Sequence, residues 1–232
     1  MRIAVQFAAA LLVAGCTQGP PRTTALTPIT PSRAASSPAQ SSAPSTPSST
    51  SATSSDAAAP RGGAPITAAI SWVEAATPLD AADFAVALRG GTTTPLGDDV
   101  AFTTPSGTTC MTDGKRAANG LACLVNLVDP PPQPPDVYGA WKGGWVDFDG
   151  SSVQIGSAHG DPGRFAAGQG APLPEGGSVS FGDVRCRTDA TVLVCVNYAR
   201  NTGVRYSDEG IDTFGCTRRS PPAVGVGEQY AC

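Results

Sequence analysis

From residue 65 onward the chain alternates short apolar runs with polar turns. Its clearest instance is Ser178–Tyr198, SVSFGDVRCRTDATVLVCVNY, two apolar runs carrying Cys186 and Cys195 on either side of a polar turn. This pattern predicts a hairpin stapled near its end. A similar arrangement occurs at 107–125, where Cys110-Met111-Thr112-Asp113 leads through a polar loop to Leu121-Ala122-Cys123-Leu124-Val125. Cys-x-Thr-Asp, a turn, and a second cysteine among apolar residues thus occur twice, a weak internal repeat. Apolar positions 66, 69, 70 and 73 follow helical spacing, with Pro65 suited to the first turn and Thr77-Pro78 as the stop. Phe84, Val86 and Leu88 alternate, and Gly90-Gly91 before Thr92 predicts a hairpin return, although Asp80 would equally cap a short helix. Val100–Phe102 and Thr108–Thr112 continue the strand pattern, and Asp149-Gly150 between alternating runs is a strong hairpin turn. The run DPPPQPPD at 129–136 predicts extended polyproline and a rigid connector between the two stapled halves. The expected fold is mainly β, an antiparallel sandwich or barrel built of disulfide-stapled hairpins with one short N-terminal helix.

The first 64 residues follow another logic. Arg2 precedes an apolar run, Ile3–Ala14, that ends in Gly15-Cys16, and Val13-Ala14-Gly15-Cys16 fits a bacterial lipobox. Small residues are needed before the cleavage point and a thiol after it, because the diacylglycerol is placed on that sulfur. Residues 1–15 are therefore expected to be a signal peptide and Cys16 the lipidated first residue, anchoring the protein to the outer face of the plasma membrane. Two glycerol-linked acyl chains suffice for stable anchoring, and no later stretch has the roughly 20 apolar residues of a spanning helix. Residues 17–64 are rich in Ser, Thr, Pro and Ala and contain neither an aromatic residue nor a cysteine. Such a stretch cannot offset its ordering entropy by burial, so residues 16–64 are expected to be a lipidated, disordered tether spanning roughly 40 Å. Its composition is also that of O-glycosylated stalks.

Residues 65–232 are long enough for one domain with a real core. This part carries 11 Lys and Arg against 18 Asp and Glu, a net charge of −7 that argues against nucleic acid or anionic lipid as partners. Its six cysteines, an even number in an exported chain, predict three disulfides; pairing of neighbours gives Cys110 with Cys123, Cys186 with Cys195 and Cys216 with Cys232. Each short loop closed in this way would contribute about 3 kcal/mol in the chain-entropy model. No Cys-x-x-Cys pair exists and there is one histidine, so neither a metal nor another cofactor is expected.

The order Phe102-x-x-Pro105-Ser106-Gly107-x-x-Cys110-Met111, Cys123, Trp141, Gly144, Leu173, Phe181-Gly182, Cys186, Cys195-x-Asn197 and Thr202-Gly203-x-x-Tyr206-Ser207-x-x-Gly210 resembles a small disulfide-bonded β domain of secreted actinobacterial proteins. As a whole the chain is similar to mycobacterial lipoproteins of the LppI type. The resemblance covers roughly residues 65–232 and lies in the order of its parts. It implies an envelope lipoprotein and supplies no catalytic residues. The chain departs from it in lacking a further cysteine pair that such domains carry near Trp141 and near Asp161.

Candidate chemistry is sparse. His159-Gly160-Asp161 places a carboxylate beside the single histidine, which an acid–base pair would need, but a solvated Gly-rich turn has the same sequence. No Gly-x-Ser-x-Gly elbow presents a nucleophile, and Ser106 between Pro105 and Gly107 reads as a turn. Asp147 and Asp149 beside Ser151 suggest a calcium loop only weakly, since the glutamate of an EF-hand is missing. Trp141 and Trp145, four apart in a strand and with Tyr138 nearby, could share a face as a platform for a sugar ring or apolar ligand; equally, they could fill the core. The resulting expectation is a non-catalytic envelope module that binds a cell-wall glycan or another envelope protein. The alternative is an envelope hydrolase acting on a cell-wall component.

Overall fold

The structure, a computed structural model, describes residues 57–114, 120–158 and 163–232. Helix α1 (Ile66–Glu74) opens the fold and is followed by the two-residue strand β1 (Thr77–Pro78). A 3₁₀ turn at Ala81–Phe84 comes next, then the hairpin β2 (Val86–Arg89) and β3 (Thr92–Pro95). The first long meander comprises β4 (Ala101–Thr103), β5 (Thr109–Thr112), β6 (Leu121–Leu124), β7 (Trp141–Phe148) and β8 (Ser152–Ala158). A second 3₁₀ segment (Gly163–Ala167) and β9 (Gln169–Pro172) lead to a second meander, β10 (Gly177–Phe181), β11 (Val184–Thr188), β12 (Leu193–Asn197), β13 (Thr202–Ser207) and β14 (Gly210–Phe214). The chain closes with β15 (Arg218–Ser220) and β16 (Val226–Ala231).

Among the described residues these strands form a six-stranded sheet, β1-β10-β11-β12-β13-β14, and a ten-stranded sheet, β15-β16-β8-β7-β6-β5-β4-β9-β2-β3. Neither closes into a barrel. Their inner faces share one core, to which the ten-stranded sheet contributes Phe102, Cys110, Leu121, Val146, Phe148 and Ile155, and the six-stranded sheet Val179, Cys186, Leu193, Val204 and Tyr206. Strand β12 shows why its sequence is apolar throughout: Leu193 and Cys195 face this core, while Val194 and Val196 face Ala69, Trp72 and Val73 of α1. A strand covered on both faces reads as a continuous apolar run. On the outer face of the ten-stranded sheet, Ala101, Met111, Ala122 and Trp145 form a third cluster with Phe165.

The weak repeat in the sequence corresponds to two meanders built in the same register. Cys110 opposes Cys123 on β5 and β6, and Cys186 opposes Cys195 on β11 and β12; both pairs are disulfides. One strand further on, Cys123 opposes Val146 and Leu121 opposes Phe148, just as Cys195 opposes Val204 and Leu193 opposes Tyr206. Val146 and Phe148 then face Ile155 and Val153, as Val204 and Tyr206 face Thr213 and Ile211. Each meander also borrows its first neighbour from the segment that leads into the other one. β1, which precedes the first meander, runs parallel to β10, and β9, which precedes the second, runs parallel to β4. The halves are thus tied by exchanged strands as well as by the common core.

Several local expectations are refined. The helix forms where the spacing predicts, and Asp80 caps the 3₁₀ turn by accepting from Ala82 N at 3.0 Å, so strand β2 begins only at Val86. The proline run is not a connector between the stapled halves. It lies inside the first meander, between β6 and β7, and folds back over the sheet. The third disulfide joins Cys216, just after β14 of one sheet, to Cys232, just after β16 of the other, and so fastens the C-terminus. Residues 57–64, expected to be tether, have defined contacts: Trp72 Nε1 donates to Ala57 O at 2.7 Å, Ala59 and Ala64 pack beside α1, and Arg61 pairs with Glu209 at 3.4 Å. Cys16 and residues 17–56 lie outside the described residues.

Candidate functional site

The three aromatic residues expected to share a platform are separated. Trp145 is fully buried, its indole Nε1 donating to Asp147 Oδ2 at 2.8 Å and its ring meeting Phe165 edge-on at 5.4 Å. It is a core residue of the outer cluster, which corrects its place in the platform. Trp141 is half-buried and donates its Nε1 to Pro131 O at 3.0 Å. Between the two tryptophans β7 is irregular, advancing four positions from Lys142 to Val146 while β8 advances two from Ser157 to Ile155. Glycines make room for the strap on three adjacent strands: a Cβ added at Gly143 would come within 2.7 Å of Pro130, one at Gly156 within 2.6 Å of Trp141, and one at Gly227 within 2.9 Å of Pro131. Trp141 therefore clamps the proline strap, and Tyr138 stands away from both indoles in solvent, 90% exposed.

The other candidates also have structural duties. Asp149 Oδ1 accepts the backbone N–H groups of Ser151 and Ser152 at 2.7 and 2.6 Å, and its Oδ2 accepts Ser152 Oγ at 3.0 Å, as a turn-forming aspartate does. Asp147, besides receiving the Trp145 indole, lies 3.5 Å from Arg164 Nη2. Ser106 Oγ lies 2.9 Å from Thr104 Oγ1 within the turn between β4 and β5. All six domain cysteines are bonded as neighbours. His159 and Asp161 lie outside the described residues. No group of three or more metal-ligating side chains exists among the described residues.

A different place gathers polar and apolar groups around open space. The turns 96–99, 181–183, 149–151 and 198–201 lie at one end of the two sheets, and Thr202 Oγ1 joins them by donating to Gly150 O at 2.6 Å. A cleft of about 500 Å³ opens there, lined by Leu96, Asp98 and Asp99 before β4, Thr112 and Gly114 at the end of β5, and Phe181 at the end of β10. Its walls thus come from both meanders. Asp99 is held by two donors, Thr112 Oγ1 and Gly114 N, each at 2.8 Å from its Oδ1, while the Thr112 oxygen accepts Val100 N at 2.9 Å. This fixes Asp99 in the lining, next to the exposed Asp98 carboxylate. Phe181, packed partly on the core, adds an apolar ring to the same lining. An aromatic surface and carboxylate acceptors in one lining suit a ligand with both C–H faces and hydroxyl or amino groups. No sequence signal marked this site, because residues 96–99 and 181–182 meet only through the packing of the two sheets.

Burial dominates the electrostatics of the frame. It pushes the Tyr206 hydroxyl far above the ordinary tyrosine range, with the Asp147 charge adding to the effect. Burial also lowers the Arg187 pKa, partly offset by Asp189; the guanidinium lies 4.0 Å above the Trp72 ring and donates to Trp72 O at 2.6 Å. Arg187 therefore serves to seat α1 on the six-stranded sheet. No protein-family model, curated protein or solved structure matches the chain.

Proposed function

We propose that this chain is a lipid-tethered, non-catalytic binding module of the bacterial envelope, and that its cleft at the turn-bearing end of the two sheets holds a hydroxyl-rich ligand of the cell-wall glycan class. The observation that carries the binding part is the cleft, whose lining brings together a half-exposed phenyl ring, the exposed Asp98 and an Asp99 carboxylate held by two hydrogen bonds on a disulfide-stapled frame. A preorganised site loses little conformational freedom on binding. The address rests on the lipobox ending in Cys16 and on the Ser/Thr/Pro-rich stretch after it. The three disulfides suit an oxidising, exported setting.

Two measurements test the reading. Intact mass of the membrane-extracted protein should show a diacylated Cys16, and an unmodified or uncleaved N-terminus would remove the anchor. Retention of the full chain on insoluble cell-wall polysaccharide should fall about tenfold in Phe181→Ala or Asp98→Asn, both at partly or fully exposed positions. Retention that is unaffected by both changes, or turnover of the polysaccharide, would overturn the binding assignment.

A further inference from the structure

The opposite end of the sheets carries two loops whose construction fixes apolar side chains in solvent. Tyr138, in the loop between β6 and β7, is 90% exposed, and Val224, in the loop between β15 and β16, is 94% exposed. Single exposed apolar residues are ordinary on any surface. Here they stand on loops that are heavily constrained. Seven prolines lie in the two loops, at positions 130, 131, 132, 134, 135, 221 and 222. The first loop is held by Trp141 Nε1 to Pro131 O at 3.0 Å, Gln133 Nε2 to Val137 O at 2.6 Å and Val137 N to Pro134 O at 3.1 Å. In the second, Ala223 N donates to Gln229 Oε1 at 3.0 Å and Val226 N to Ala223 O at 3.1 Å. The loops meet around a pocket of about 330 Å³ lined by Pro134, Asp136, Pro222 and Val224. Its charged lining residue is an aspartate, Asp129 is exposed on the same loop, and the domain carries a net charge of −7.

We propose that this end is a docking surface for another protein, specifically for a segment that presents an aliphatic side chain beside a lysine or arginine. The pocket between Pro134 and Val224 takes the aliphatic group, Asp136 pairs with the cation, and Tyr138, exposed two residues beyond Asp136, adds an apolar contact outside the pocket. Prolines and hydrogen bonds hold both loops in the presenting conformation before the partner arrives, which reduces the entropy lost on docking. The acidic surroundings disfavour an anionic bilayer as the occupant. The proposal is independent of the glycan cleft at the other end.

The test uses the full-length protein and a fluorescein-labelled probe peptide, acetyl-Lys-Leu-Pro-Leu-Lys-amide, with the glutamate-for-lysine peptide as its counterpart. The expected result is saturable binding of the basic peptide, weakened about tenfold in Tyr138→Ser/Val224→Ser with the melting temperature unchanged. Asp136→Lys should shift preference toward the acidic peptide. Equal binding by wild type and the double variant would overturn the proposal, as would indifference of Asp136→Lys to peptide charge. Tyr138-dependent partition of the protein onto phosphatidylcholine or phosphatidylglycerol vesicles, with no peptide binding, would also overturn it in favour of a lipid surface.

Discussion

Replacing Tyr206 by phenylalanine should stabilise the domain. The ring of Tyr206 is fully buried in the shared core, and its hydroxyl is without a hydrogen-bond partner among the described residues. A hydroxyl withdrawn from water without a replacement bond costs about 1–3 kcal/mol by mutational measures. Deleting the oxygen recovers most of that and leaves a void smaller than a methyl group, so a net gain of about 1 kcal/mol is expected. The duplication supports the same conclusion from a second direction: Tyr206 opposes Leu193 as Phe148 opposes Leu121, and in that register position the first meander already uses phenylalanine. For a domain of this size the gain corresponds to a rise of about 2–4 °C in melting temperature. An ordinary hydrogen-bonded core tyrosine would instead lose about 1 kcal/mol on the same change. Alkaline denaturation gives a second readout. Because burial raises the Tyr206 pKa well above its ordinary value of 10.0, its proton is kept in the folded state when the unfolded chain releases it. The contribution is therefore constant below pH 10 and is lost as pH rises further, by about 1.4 kcal/mol per pH unit for one such group. The variant should lose stability less steeply in that range, though not flatly, since burial also raises Tyr198 and Tyr230. Destabilisation of 1 kcal/mol or more at pH 7, with an unchanged alkaline slope, would refute the reasoning.

Four further changes probe the frame by urea denaturation and calorimetry. Cys110→Ala/Cys123→Ala opens a bridge of sequence separation 13 and should cost about 3 kcal/mol, while a cost near zero would show that sheet packing alone holds the hairpin. Gly156→Ala places a Cβ 2.6 Å from the Trp141 ring at a φ of +75° and should cost about 2–4 kcal/mol. Gly182→Ala has a φ of +50° with nothing within 4 Å of the added atom, so about 1 kcal/mol of backbone strain is expected; equal losses at the two glycines would contradict the crowding beneath the strap. Trp141→Ala should cost about 2 kcal/mol and expose the proline strap to faster amide exchange at Val137, and unchanged stability would mean that the indole does not clamp it.

The parts of the fold that could be read from the sequence are those in which the local pattern and the tertiary setting agree. Helix α1, the Asp149-Gly150 turn and the two cysteine hairpins follow from apolar spacing and turn residues alone. Neighbour pairing of the cysteines succeeds because two pairs bracket the turn between adjacent strands and the third closes a short stretch of chain between the two sheets. The role of the proline strap was hidden, since its docking depends on Gly143 and Gly156 of the β7–β8 hairpin lining up with Gly227 of β16, about seventy residues further on. Trp141 and Trp145 illustrate the limit of periodicity. Four residues apart is consistent with a shared face, but the irregularity at Gly143-Gly144 and the covering Phe165 give the two rings separate surroundings. Parallel pairing of β1 with β10 and of β9 with β4 joins segments about a hundred and about seventy residues apart and leaves no local trace. The candidate cleft depends on that long-range pairing of the two meanders.

The central claim, that the cleft between the meanders binds a hydroxyl-rich ligand, is tested most directly by amide chemical-shift mapping of the full chain titrated with soluble oligosaccharides released from cell wall. The account predicts saturable shifts concentrated at Leu96–Asp99, Thr112–Gly114 and Phe181–Gly182, abolished in Phe181→Ala. Shifts that fall elsewhere, or survive the loss of that ring, would contradict it.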